Sequence, residues 1–133
     1  MVIYLENKKG KIYSKSRLKD ILNLPILTEL SIKQKNNWEE SLKFILKVIR
    51  KKDSENILIF PLSKNNDINQ FEQIIAKLFK EKIKVSNNSD DLIWAENIIL
   101  LSVMGETTIK DIKEFNNKIY LLDKNTLGLL IVE

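Results

Sequence analysis

The side chains that most often do chemistry are missing from this chain: it has no histidine and no cysteine. Without histidine it lacks the usual neutral-pH acid/base and any Ser-His-Asp triad. Without cysteine there are no thiolate nucleophiles, disulfides or thiolate metal ligands. Carboxylates, hydroxyls and lysines remain. Asp90, Asp91 and Glu96 could be read as a carboxylate metal site. Adjacent side chains diverge on a helix, however, and acidity at a helix start explains the pair equally well. Glu39-Glu40 is a first-turn pair for the same reason. No catalytic residue, metal ligand or cofactor site is assigned on this basis.

Two turns carry the remaining candidate site residues. The first is Ser63-Lys64-Asn65-Asn66, between an apolar run and a helical pattern. It reads either as a remnant anion site at a helix N-terminus or as a solvated loop. The second is Gly105-Glu106-Thr107-Thr108, read as a strand exit plus N-cap or as a residual contact with a ligand or partner. Trp38 and Trp94 read as packing anchors, since no basic-aromatic interleaving surrounds them. Tyr4, Tyr13 and Tyr120 could accept a phosphoryl group from a partner kinase; buried or packing roles are the expectation, Tyr120 lying in a helical pattern.

Apolar periodicity and capping signals outline the elements that position these turns. Ser14 or Ser16 caps a short helix through about Asn23, stopped by Leu24-Pro25, and Ile26–Leu30 follows as an extended segment. Asn36 or Asn37 opens a helix with Glu40 in capping-box position and the stripe Trp38, Leu42, Ile45, Leu46, Ile49. Asn56–Leu62 is nearly all apolar, which suits a strand covered on both faces, with Pro61 where no ladder donor is required. Asn66 or Asp67 caps a helix with the stripe Ile68, Phe71, Ile74, Ile75, Leu78, Phe79. Lys82–Ser86 is a short strand, and Ser89–Trp94 a helical turn. Asn97–Val103 is a third apolar strand, broken by Gly105. Thr107 or Thr108 caps the helix bearing Ile109, Ile112, Phe115, Ile119 and Leu122, and Thr126–Val132 is the last strand. Strands alternating with amphipathic helices predict an α/β fold with a mainly parallel sheet and ligands beyond the strands' carboxyl ends.

At 133 residues and 44% apolar content the chain can bury one core, so a single domain is expected, with 1–30 as an opening segment and 31–133 as the sheet and helices. The net charge of +4 comes with 20 Lys against only 2 Arg, and with 20 Ile and 14 Asn. That bias is what an AT-rich coding sequence produces, and the lysines are interspersed with carboxylates along the chain. The expectation is therefore a mixed-charge surface without nucleic-acid binding. Apolar runs such as Ile98–Leu101 fall far short of the roughly 18 residues that span a bilayer. Met1-Val-Ile-Tyr-Leu5 runs straight into charged residues, so no signal peptide is expected either.

Two segments add a resemblance. Ile98-Ile-Leu-Leu-Ser-Val-Met-Gly-Glu-Thr-Thr108, a helix, and then Thr126-Leu-Gly-Leu-Leu-Ile-Val132 resemble the closing strand-turn-helix-strand of bacterial tyrosine-kinase-like P-loop domains. These are the cytoplasmic domains of polysaccharide chain-length determinant (co-polymerase) proteins. Ile12–Leu27, ending Leu-Asn-Leu-Pro-Ile-Leu, is similar to that family's opening helix, and Trp38–Arg50 to the helix before its P-loop strand. The resemblance implies a three-layer, Rossmann-like or P-loop-NTPase-like fold with four to five strands. It also implies a cytoplasmic location at the inner face of the plasma membrane, with tethering through a longer parent chain.

The departures from that family bear directly on activity. A P-loop needs G-x-x-x-x-G-K-[ST], whose glycines let backbone donors wrap a phosphate. The matching place reads Leu62-Ser-Lys-Asn-Asn-Asp-Ile68: no glycine, several residues shorter, and Lys64 as a stray cation. Asp67 would bring a carboxylate to the helix N-terminus and occupy the donors a phosphate needs. The next strand ends Val85-Ser86-Asn87, without the family's magnesium-positioning acid, and the expectation is that the family's tyrosine-rich tail is absent too. The resemblance thus implies a non-enzymatic relative that works by protein–protein contact, through self-association or docking to polysaccharide polymerisation and export components. The alternative is an ATP-type nucleotide-binding domain with a non-standard loop at Ser63–Asp67. A receiver-domain reading fails because strand ends Ser63-Lys64 and Ser86-Asn87 lack the required acids.

Overall fold

The computed structural model describes residues 10–49, 56–63, 66–79 and 82–133. In chain order the elements are α1 (Lys15–Leu22), β1 (Ile26–Leu30), a 3-10 turn (Ile32–Asn37), α2 (Trp38–Ile49), β2 (Ile57–Pro61) and α3 (Asn66–Phe79). There follow β3 (Ile83–Val85), α4 (Ser89–Trp94), β4 (Asn97–Val103), α5 (Ile109–Tyr120) and β5 (Asn125–Val132). The five strands form one parallel sheet in the order β1-β5-β4-β2-β3.

The sheet is covered on both faces, which is why its central strands carry apolar residues at consecutive positions. Ile57, Ile59, Ile99, Leu101, Leu130 and Val132 pack with α2 and α3, through Trp38, Leu42, Leu46, Phe71 and Ile75. Leu58, Phe60, Ile98, Leu100, Leu129 and Ile131 pack with α1, α4 and α5, through Leu18, Leu92, Ile112 and Phe115. The result is three layers, as the alternation of strands and helices predicts.

Local signals place the helices. Ser14 Oγ accepts from Arg17 N at 3.3 Å to start α1, and Asn23 ends it in the left-handed region at φ 53°. Thr108 and Asp111 form a reciprocal capping box on α5. α2 begins at Trp38, directly after the expected Asn36/Asn37 opening, but a further turn leads into it that the capping pattern does not predict. Ser31 caps this 3-10 turn, which kinks at Gln34 (φ −129°) before the α-helix begins. Trp38 Nε1 donates to Ser31 O at 2.8 Å and holds that turn against the sheet.

Three backbone details shape the sheet. Donors alternate sides along a strand, and here Ile57 N points to β3 (Lys82 O) while Leu62 N points to β4 (Leu101 O). The Pro61 nitrogen therefore faces β3's side beyond Val85, where the ladder has ended. A register shift opposite Ile98/Ile99 leaves Leu127 as an extra residue in β5. Leu127 turns toward α2 and α3 while Leu129 faces α5, which unshifted alternation would not allow. Finally, Ile26–Leu30 is an edge strand on β5, so the sheet begins four residues before the expected boundary at residue 30. Its close approach requires Gly128, where a Cβ would lie 2.7 Å from Leu27 Cγ and 2.8 Å from Pro25 O.

Candidate functional site

The chain leaves β2 outward to β3, then crosses back over β2 to β4 and continues to β5. That reversal makes a switch point between the carboxyl ends of β2 and β4, the usual ligand position in such sheets. A cleft of about 290 Å³ opens beside the end of β2. Phe60, Pro61, Leu62 and Ser63 form one side, Asn87 lies at its edge, and Asp111, Glu114, Phe115 and Lys118 of α5 form the other. The Phe60 and Phe115 rings meet with centroids 5.1 Å apart, and Lys118 Nζ stands 6.0 Å from the Phe60 centroid. Ser63 Oγ is enclosed and has no hydrogen-bond partner among the described residues.

Of the other residues named for the first turn, Lys64 and Asn65 lie outside the described residues. Asn66 is placed only as the first residue of α3. Between Pro61 and Asn66 only residues 62–65 connect strand to helix.

The second turn is covered by the chain's own N-terminal segment. Gly105 N donates to Ile12 O at 2.8 Å, Ile12 N to Thr107 O at 2.8 Å, and Ile109 N to Gly10 O at 2.9 Å. Gly105 sits at φ 81°, and a Cβ there would lie 3.1 Å from Tyr13 Cε1. Thr107 is fully buried, with its hydroxyl 2.7 Å from Ser102 Oγ. Thr108 caps α5, and its backbone N–H donates to Asp111 Oδ2 at 2.9 Å. Glu106 N donates to Val103 O, and its residue is exposed. All four residues thus carry hydrogen bonds that hold the turn, and the donors at Gly105 and Ile109 already have carbonyl partners.

Two of the three carboxylates weighed as a metal site serve separate partners. Asp91 Oδ1 lies 3.8 Å from Lys84 Nζ, Glu96 Oε1 accepts from Asn56 N at 3.4 Å, and Asp90 is exposed. Among the described residues no cluster of three or more His, Cys, Asp or Glu is placed to hold a metal. No described helix is long and apolar enough to cross a membrane.

Sequence reasoning missed the α5 wall of the cleft. Asp111, Glu114, Phe115 and Lys118 at i, i+3, i+4 and i+7 share one helix face, a spacing that was available to read. It also missed an ion cluster at the carboxyl end of β1 and β5. Lys15 Nζ lies 2.9 Å from Glu29 Oε1 and 3.0 Å from Glu133 Oε1. The hydrogen bonds to Glu29 and then Glu133 hold the Lys15 ammonium above its ordinary 10.5. One expectation is corrected: Tyr120 does not pack but is 86% exposed, because it lies off the helix face on which Ile112, Phe115 and Ile119 meet the core. Tyr13 is 45% exposed and lies against Gly105, and Tyr4 is outside the described residues.

Comparison with known proteins returns no matching protein-family model, no similar curated protein and no similar solved structure.

Proposed function

We propose that this chain is a non-catalytic α/β domain that acts through protein contacts. Its setting is the one its sequence resemblance implies: the cytoplasmic part of a polysaccharide chain-length determinant or tyrosine-kinase-like protein, regulating or scaffolding polysaccharide biosynthesis and export.

The observation that carries the non-catalytic reading is the connection from β2 to α3. Residues 62–65 hold no glycine and are too few to wrap a triphosphate with backbone donors, which takes an eight-residue glycine-rich motif. Two features support it. The donors of the neighbouring turn already pair with Gly10 O and Ile12 O. The cleft wall offers two carboxylates, Asp111 and Glu114, against the Lys118 ammonium, which repels a polyanion. The polysaccharide setting is supported by the order of sequence elements alone.

The ATP-type alternative is favoured by one detail, the enclosed and unpartnered Ser63 Oγ. Calorimetric and thermal-shift titration with magnesium and ATP, ADP or GTP separates the two. A site filled at one hundred times its dissociation constant would stabilise the fold by about 2.7 kcal/mol. The expected result is no heat and no shift; a saturable shift overturns the non-catalytic reading. For the setting, deletion of the coding sequence in the source cell should change the length distribution of its surface polysaccharide. An unchanged distribution overturns the setting.

A further inference from the structure

β3 closes one side of the sheet, with β2 as its single neighbour among the described residues. Ile57 N donates to Lys82 O and Ser86 N to Ile59 O, so Lys82, Lys84 and Ser86 turn their peptide groups toward β2. By alternation, the N–H and C=O groups of Ile83 and Val85 point off the sheet. A groove of about 390 Å³ runs beside them. Glu72, Ile75 and Ala76 of α3 wall it on one face of the sheet, and Asp91 of α4 on the other. Ala76 is exposed and ends at a methyl group, which leaves a recess between α3 and the strand. The charges of the groove do not balance. Lys84 Nζ lies 3.8 Å from Asp91 Oδ1 and 4.4 Å from the Trp94 ring centroid, so this pair is satisfied locally. Glu72 has no ion-pair partner among the described residues, which leaves the groove one acid in excess.

From this we infer that the β3 edge takes up an extended segment of another protein as a sixth strand. The segment carries an apolar residue and a lysine or arginine two positions apart. The inference rests on the protein-contact reading above and names its surface and the chemistry of its partner. Main-chain hydrogen bonds to Ile83 and Val85 supply the attachment, and the walls select the side chains. Residues two apart on a strand share a face. On the α3 face the apolar side chain fills the recess at Ala76 while the basic one pairs with Glu72. Ile83–Val85 is only three residues of edge, so few main-chain bonds form and the association is weak and reversible.

An NMR titration of the full, isotope-labelled chain tests this with the capped peptide Thr-Val-Thr-Lys-Thr-Val-Thr and its counterpart carrying Glu in place of Lys. The lysine peptide should give saturable shifts centred on β3 and Ala76, and slower exchange of the Val85 amide, whose N–H gains a partner. The Lys84 amide faces β2 and should exchange as before. V85P removes an outward donor without touching the β2 ladder and should abolish binding. A76F fills the recess from an exposed position and should abolish binding with the melting midpoint unchanged, a check that stands even where V85P does not fold. E72K should weaken the lysine peptide about two- to fivefold and favour the glutamate peptide by a similar factor. Unchanged Val85 exchange with both peptides overturns the inference, as does binding that survives A76F or ignores the exchange of Lys for Glu. Val85 protection that rises with protein concentration alone assigns the edge to a second copy and overturns it equally. None of these results touches the nucleotide titration, which tests the underlying reading separately.

Discussion

The hydroxyls of Ser102 and Thr107 lie 2.7 Å apart, and both residues are fully buried. Ser102 sits near the end of β4 on the face that carries Ile98 and Leu100, and Thr107 is the residue before the cap of α5. Thr107 Oγ1 also reaches Val103 O at 3.5 Å. The pair ties the strand's end to the turn that follows it, at the point where the N-terminal segment crosses.

Removing the Thr107 hydroxyl leaves Ser102 Oγ buried without that partner, and removing the Ser102 hydroxyl leaves Thr107 Oγ1 only its long 3.5 Å contact with Val103 O; an under-satisfied buried hydroxyl costs about 1–3 kcal/mol. S102A and T107V should each lose stability in that range in urea melts. The double variant S102A/T107V should lose clearly less than the sum, because no orphaned hydroxyl remains. Additive losses would show that the two hydroxyls do not depend on each other.

Gly128 is set by contact rather than by backbone angle. G128A brings a Cβ to within 2.7–2.8 Å of Leu27 Cγ and Pro25 O, and must push β1 away from β5. Overpacking of this kind costs about 1–3 kcal/mol. The expected readout is that loss together with faster amide exchange at Leu129, whose N–H donates to Pro25 O at 2.8 Å. Unchanged exchange there would mean that the strand pair absorbs the methyl group.

The ion cluster predicts a pH dependence of known sign. The folded state holds the Lys15 proton above the ordinary 10.5, so the stabilisation is fully present below that value. It is lost as pH rises through the folded-state value. K15M should therefore flatten the alkaline end of the stability curve above about pH 10. Its curve at neutral pH should keep the wild-type shape. A K15M curve as steep as wild type in the alkaline range would remove the cluster as a contributor.

Tyr120 and Phe115 belong to one helix and should respond oppositely to truncation. F115A empties a site that is 3% exposed beside Phe60 and should cost about 3–5 kcal/mol. Y120S, at an 86% exposed position, should stay within about 0.5 kcal/mol of wild type. A large loss at Tyr120 would place it against a surface that the fold does not show.

Much of the fold was legible because it rests on local rules. Ser14, of the pair Ser14/Ser16, and Thr108, of the pair Thr107/Thr108, act within one helical turn, and Leu24-Pro25 marked the end that α1 makes at the left-handed Asn23. The unbroken apolar composition of β2 and β4 announced a sheet buried on both faces. The start of α2 at Trp38 was legible from Asn36/Asn37, but the 3-10 turn over Ile32–Asn37 ahead of it was not. The turn is decided by Trp38, whose indole reaches back to Ser31 O once the ring is buried at 1% exposure.

The candidate site divides the same way. The sequence by itself determined that no histidine, cysteine or glycine-rich phosphate loop exists between β2 and α3, since residue types are independent of folding. Only the tertiary structure decided that Gly10 and Ile12 would cover the Gly105–Thr108 turn, that Glu133 and Glu29 would meet on Lys15, and that α5 would wall the Ser63 cleft. Those contacts join residues up to 118 positions apart. They exist because a parallel sheet brings distant strands together at one edge, a geometry that no local pattern encodes.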